Sequence, residues 1–149
     1  VMNQGVIDQV GIPFEIYNFP KTAFVASFVG TLNVLDATVV DPQTGALQLA
    51  GQPIFAPPPL AERSAGDTVK LALRPELFSP ESTGAAGENC LNGTVENVVF
   101  LGAVVRIHVR VGSTLVLMDE FNNPNLSVPE IGSTIQLYFQ RENCLLLVA

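Results

Sequence analysis

The chain has 149 residues and a formal charge of -7, with only two lysines, Lys21 and Lys70, which excludes a nucleic-acid role because such affinity rests on neutralising phosphates with Lys and Arg. Hydrophobic residues make up 48% and charged residues 14%; no apolar run approaches the ~20 residues that span hydrocarbon, and no charged-then-apolar leader opens the chain. This length suits one domain with a short attached element, able to bury about two-thirds of its unfolded surface without staples, and the low charge fits either a small all-β core or a surface that meets another protein.

The opening Val1 to Val10 reads as a hairpin cut through its first strand, with Asn3, Gln4 and Gly5 supplying the turn. A strand this short leaves an unpaired edge. Pro13 starts a helix, because its missing N–H is unsatisfied there anyway, and Glu15 meets the positive end of the dipole. Pro20 restricts Phe19 and ends that helix. Thr22 caps a second helix and Gly30 closes it at positive φ, leaving Phe24, Val25, Phe28 and Val29 as one apolar stripe expected in the core.

Strand texture follows. Leu35 to Val40, Ala46 to Leu49, Gln52 to Phe55 and Thr68 to Leu73 are predicted strands, with a turn over 41–45, an extended solvent-facing Pro57-Pro58-Pro59, and a loop over Leu60 to Gly66. Arg74-Pro75-Glu76 ends the last of these as a structural latch, proline fixing the direction of exit between opposite charges. Ser79 to Asn89 holds Pro80, Gly84, Gly87 and little apolar mass, a flexible excursion. Cys90 to Leu101, Val104 to Val111 and Thr114 to Asp119 make a meander, with bends at Gly102 and Gly112-Ser113 and a turn at Asn122 to Asn125. Ile135 to Gln140 and Leu145 to Val148 complete the sheet. Many short strands with Gly and Pro punctuation predict a mainly β fold, a small barrel or sandwich behind two short helices.

The candidate chemistry is sparse. No glycine precedes a lysine, so the G-x-x-x-x-G-K-[ST] phosphate cradle is missing and the chain by itself is not expected to hydrolyse ATP. Val105, Ile107, Val109 and Val111 alternate with Arg106, His108 and Arg110, which puts three basic groups on one strand face ~7 Å apart. That row suits an oxyanion or an acidic partner surface, or it is a solvated face paired with scattered acids. His108 is the only histidine, so a histidine-rich metal site is impossible, and no catalytic, cofactor or metal-ligating set is identified. Asp119 and Glu120 point to opposite sides of a strand and read as turn anions. Cys90 and Cys144 lack metal-ligand spacing and read as two small buried thiols rather than a disulfide. Phe100 and Tyr138 sit in core-like alternations, which together with the acidic balance argues against an OB-type nucleic-acid groove.

Several segments together resemble a known arrangement. Leu71-Ala72-Leu73-Arg74-Pro75-Glu76, Val99-Phe100-Leu101-Gly102 and Gly132-Ser133-Thr134-Ile135-Gln136-Leu137 resemble a TOBE domain, the OB-like β-barrel appended to ABC importer ATP-binding subunits. Gly11-Ile12-Pro13, Glu15-Ile16-Tyr17, Pro20, and Phe28-Val29-Gly30 with Asn33 resemble the exit from the nucleotide-binding domain of such a subunit. The Phe28 to Val34 wording is most similar to the spermidine/putrescine branch. The resemblance implies a remnant of the ATPase domain over 1–32 and a TOBE-type barrel over 33–149. It also implies that the ATPase half, with its ATP and Mg, precedes Val1, and that the parent protein sits at the inner face of the membrane on its permease subunits. Barrels of this kind pair across a homodimer, so Arg106, His108 and Arg110 become candidate interface or anion contacts, and Asn33, Arg74, Pro75, Glu76 and Gly102 the structural motif. A regulatory and dimerisation module is the function implied; a small-ligand, oxyanion-sensing barrel is the alternative.

Overall fold

The computed structural model describes residues 1–60 and 62–147; Val148, expected at the end of the last strand, lies outside the described residues. Strands β1 (Met2–Asn3) and β2 (Val6–Ile7) form the opening hairpin, with Gln4 and Gly5 both at positive φ in its turn. Helix α1 (Pro13–Asn18) has Pro13 in its first turn and closes when the Phe19 N–H donates to the Glu15 carbonyl at 2.8 Å. Helix α2 (Ala23–Phe28) is capped by Thr22, whose hydroxyl accepts from the Val25 N–H at 3.2 Å, and Gly30 follows at φ +148°.

The stripe expected in the core on α2 is split. Val25 and Ala26 are buried, whereas Phe24 and Phe28 stack on each other at 5.9 Å with Phe28 66% exposed. A six-residue helix offers one narrow contact, and the small Ala26 makes it against Ala72 and Leu147.

Among the described residues, nine further strands make two antiparallel sheets. β3 (Asn33–Asp41), β4 (Ala46–Leu49), β5 (Gln52–Phe55), β6 (Thr68–Leu73) and β11 (Leu145–Leu146) form one, in the order β11-β6-β3-β4-β5. β7 (Glu88–Phe100), β8 (Val104–Val111), β9 (Thr114–Phe121) and β10 (Thr134–Gln140) form the other, in the order β10-β7-β8-β9. β3 shows why the sheets face each other: Leu35, Ala37 and Val39 are buried while Asp36, Thr38 and Val40 point outward. Those residues meet Val105, Ile107, Val109 and Val111 of β8 and Leu91, Val95, Val116, Met118, Leu137 and Phe139 in one core. The result is the expected mainly β, OB-like barrel behind two short helices.

The sheets are joined at their flanks by side-chain amides that stand in for ladder bonds. Asn33 donates to the Leu117 carbonyl and accepts from its N–H, both at 2.8 Å, linking β3 to β9. Asn89 does the same for Phe55, at 2.8 and 2.9 Å, and Gln52 for Asn92, at 2.9 and 2.8 Å, linking β5 to β7. A carboxamide carries one acceptor and donors in the geometry of a peptide, so it satisfies both groups of a strand edge at once.

The segment read as a flexible excursion to Asn89 is therefore shorter: β7 begins at Glu88 and Asn89 is buried. The loop ahead of it folds onto one carboxylate, with Ser82 and Thr83 donating to Glu88. Those bonds, from the Ser82 hydroxyl first, hold the Glu88 carboxyl below its ordinary range.

Candidate functional site

Four of the residues singled out in the sequence converge on the joint between the helices and the barrel. Arg74, 6% exposed, follows β6 and leads into a 3-10 turn over Pro75–Leu77, where Pro75 occupies the first turn. Its guanidinium donates to the Thr31 carbonyl at 3.2 Å and to the Tyr17 carbonyl at 3.1 Å, and lies 4.2 Å from the centre of the Tyr17 ring. The Tyr17 hydroxyl in turn donates to Glu76 at 2.5 Å. Burial, and then that carboxylate, push the Tyr17 phenol above its ordinary value. Arg74-Pro75-Glu76 thus clasps α1 from both ends of one tyrosine. A Cβ at Gly30 would meet the Tyr17 ring at 3.4 Å and the Arg74 guanidinium at 3.5 Å, ordinary contacts, so its φ of +148° rather than lack of space is what favours glycine beside the clasp.

The same joint receives the barrel's other sheet. Arg106 on β8 makes a two-bond pair with Asp119 on β9, at 2.8 and 2.9 Å, and donates to the Thr31 hydroxyl at 3.3 Å. Asp119 sits directly across from Arg106 in the register, so it is a half-buried ion-pair partner inside a strand rather than the turn anion expected from its neighbours. The Asp119 hydrogen bonds raise the Arg106 pKa further, and the group stays charged. Two residues along β8, His108 lies across from Asn97 and Leu117. Beyond it, Arg110 pairs with Glu96 through two bonds of 2.9 and 3.1 Å and donates to the Ser113 carbonyl. Arg106 and Arg110 thus point their forks at carboxylates of the same domain. Gly102, at φ +86° in the β7–β8 turn, is remote from this joint; its carbonyl accepts from the Asn122 side chain at 2.9 Å.

Cys90 and Cys144 are both free thiols, and only Cys144 is buried. Cys90 projects from the outer side of β7 and is half-exposed, because the parity that buries Asn89 and Leu91 turns it away from the core. Burial pushes the Cys144 thiol up to about 12. Phe100 also departs from expectation, at 63% exposed, and Tyr138 is half-exposed between the buried Leu137 and Phe139. An extra residue between Val95 and Asn97 shifts the register of β7 on β8 and sets Phe100 opposite the buried Val105, so its exposure comes from its place at the last residue of the strand and not from its side of the sheet.

One cleft was not legible in the sequence. It opens along β9 and holds about 490 Å³, lined by Glu76, Val104, Asp119, Glu120, Phe121 and Leu126, with Asn123 at its rim. A second groove of about 310 Å³ continues from it past Glu81, sharing Glu120, Asn123 and Leu126. Burial, and then the Glu81 charge, raise the Glu120 carboxyl above its ordinary value. The residues come from three separate stretches of chain, and no local spacing announces them.

Comparison with known proteins gives four matches. The TOBE domain family model matches residues 71–147. The chain is 29% identical over 160 residues to the spermidine/putrescine import ATP-binding protein PotA of Trichodesmium erythraeum, across 99% of this chain and 41% of that protein. It is 37% identical over 163 residues to the Fe(3+) ions import ATP-binding protein FbpC 2 of Rhizobium meliloti, across 98% of this chain and 40% of that protein. The chain therefore spans about two-fifths of the length of these curated relatives. Among solved structures, the cytoplasmic molybdate-binding protein ModG, with molybdate bound, matches with a TM-score of 0.62 at 18% identity, over 76% of this chain and 94% of that one. That likeness is one of fold alone.

Proposed function

The chain belongs to the TOBE domain family, and from that premise we propose that it is the C-terminal regulatory and dimerisation module of an ABC importer's ATP-binding subunit, of the polyamine branch. The observation that carries this reading is the extent of the likeness to PotA, which runs through the helices as well as the barrel and covers 99% of this chain. The joint supports it: Arg74, Glu76 and Arg106 fix α1 and Thr31 to the barrel, as a module that follows an ATPase half must be fixed to register its movements. ATP and its Mg belong, on this reading, to the half preceding Val1, and the parent subunit works at the inner face of the membrane against permease subunits.

Exposed apolar surface gives further support. Met2, Val6, Ile7, Val10, Ile12, Phe14, Phe19 and Phe28 are all more than half exposed, on a segment of 28 residues. Water contact of that density is unfavourable at about 25 cal/mol per Å², and an ATPase half would cover it. Pairing of two barrels then keeps two motors at high effective concentration through repeated opening. The oxyanion-sensing alternative is less well supported, since the Arg106 and Arg110 forks already hold Asp119 and Glu96.

Reading the coding sequence immediately upstream of Val1 tests the assignment. A phosphate loop and a downstream histidine switch are expected there; an unrelated domain overturns it.

A further inference from the structure

We propose that the cleft along β9 docks a basic, apolar-anchored segment of a partner protein: an extended stretch that sets one aliphatic or aromatic side chain against Phe121 and flanks it with Lys or Arg. This goes beyond the assignment above and does not depend on which solute the parent subunit serves.

Two features of the cleft set this chemistry. One wall is apolar and open, with Phe121 at the end of β9 83% exposed beside Val104 and Leu126. An aromatic ring of that size held in water beside a cavity is the kind of anchor that dominates interfaces once covered. The other wall is acidic: Asp119 there is held by Arg106, whereas Glu76, Glu81 and Glu120 have no ion-pair partner of their own among the described residues. Other ion pairs within the chain join Lys70 to Asp36 and Arg110 to Glu96. Glu76 accepts only from the neutral Tyr17 hydroxyl. Glu120 is partly desolvated next to Glu81, a situation that an incoming cation relieves. Among the described residues no group of carboxylates has the arrangement that would hold a metal ion, which leaves an organic cation.

The choice of occupant follows from charge and shape. A second copy of this chain is a poor donor, because five of its seven basic side chains are engaged: Lys70, Arg106 and Arg110 in ion pairs, Arg74 on Tyr17 and Arg141 on the Phe55 ring. A small free amine would answer the carboxylates but leave Phe121, Val104 and Leu126 wet. An anionic lipid surface is repelled by the acidic rim. A segment carrying both an apolar side chain and flanking cations answers both walls, as rim charges around a buried anchor do in other interfaces.

The test titrates the full chain with a fluorescent peptide, acetyl-Lys-Phe-Leu-Arg-Lys-amide, followed by anisotropy and by amide shifts in nitrogen-15 spectra. Saturable binding, weakened by salt, with shifts confined to residues 76, 104 and 119–126, is expected. Phe121→Ala should weaken it on the order of tenfold, as loss of one aromatic anchor does. Glu120→Gln should weaken it about threefold, as loss of one rim charge does. Phe121 is exposed, so unchanged far-ultraviolet dichroism is expected in that variant. Absence of saturable binding up to millimolar peptide overturns the proposal. So does equal binding by a peptide with Glu in place of each cation, an equal response to spermidine or to a peptide with Gly at both apolar positions, or shifts that map to the α1 face instead. None of these outcomes bears on the sequence upstream of Val1, so the docking proposal and the subunit assignment fail separately.

Discussion

Arg74 shows how one buried side chain holds two parts of a molecule together. Its two N–H donors are the partners of the Thr31 and Tyr17 carbonyls, so Arg74→Ala leaves both acceptors without a donor and removes the cation from the Tyr17 ring. A loss of about 3 kcal/mol in urea unfolding is expected, within the range for breaking a buried charged hydrogen-bond network. Tyr17→Phe removes only the partly exposed bond to Glu76 and should cost about 1 kcal/mol or less; equal losses in the two variants would show that the guanidinium is not the principal tie. Thiol chemistry separates in the same way. With the Cys144 thiol pushed up to about 12 by burial, it stays protonated at pH 8, so iodoacetamide should label Cys90 in the native chain and reach Cys144 only on unfolding. Glu120 carries a pH signature. Its carboxyl is raised in the fold, so the protonated form is the favoured one, a contribution present below the unfolded carboxylate value and lost as pH rises through the folded value. Glu120→Gln should therefore stabilise the chain near neutrality by a few tenths of a kcal/mol, after discounting for solvent screening. The gain should shrink as thermal unfolding is followed into the acid range.

At the scale of elements, the strands were largely legible because their faces differ. The run Val105, Ile107, Val109, Val111 against Arg106, His108, Arg110 predicts β8 and its inward side, and the structure buries that aliphatic set. The bulge in β7 was not legible, since an inserted residue leaves no compositional mark; past it the inward parity passes to Val98 and Phe100, which pair with the buried Ile107 and Val105, and Phe100 is nonetheless 63% exposed at the last residue of the strand. The amide clasps were also hidden: Asn89 reads as a loop residue until Phe55 is brought to it from 34 residues away. Turn glycines divide by surroundings as well as by backbone. Gly45 and Gly102 share φ near 80°, at +79° and +86°, yet a Cβ at Gly45 would lie 2.1 Å from the Ala56 carbonyl oxygen while one at Gly102 meets nothing within 4 Å. Gly102→Ala should cost about 1–2 kcal/mol from left-handed strain alone. Gly45→Ala adds a collision with backbone and should cost at least about 3 kcal/mol. Denaturation midpoints of the two variants measure the difference.

For the whole molecule, the question is what the outer surfaces meet. Among the described residues, the first 28 carry eight of the sixteen large apolar side chains that stand exposed, and the cleft along β9 carries Glu76 and Glu120, which no ion pair reaches. The two proposals assign two different chemistries to these surfaces, an apolar partner for the hairpin and α1, and a basic one for the cleft. Light scattering during gel filtration tests the pairing of barrels: a dimer is expected at high micromolar concentration, and a monomer at every concentration and ionic strength counts against it. If the proposed assignment holds, joining an ATPase half to the chain should lower binding of an apolar dye and slow amide exchange over residues 2–19, while leaving the β9 cleft as exposed as before.

The amino-acid sequence by itself determined the class of fold, the two helices with their caps and the alternation of β3 and β8. These depend on neighbours a few residues apart, whose spacing sets which side of an element each side chain takes. Only the tertiary structure decided that Arg74 and Arg106 both reach Thr31 while Glu76 takes the Tyr17 hydroxyl, that Asp119 is an ion-pair partner, and that Glu76, Glu120, Phe121 and Leu126 share one cleft. Those outcomes depend on which strands lie side by side and in what register. Strand pairing joins residues far apart in the chain, so their local context carries no trace of the neighbours they acquire.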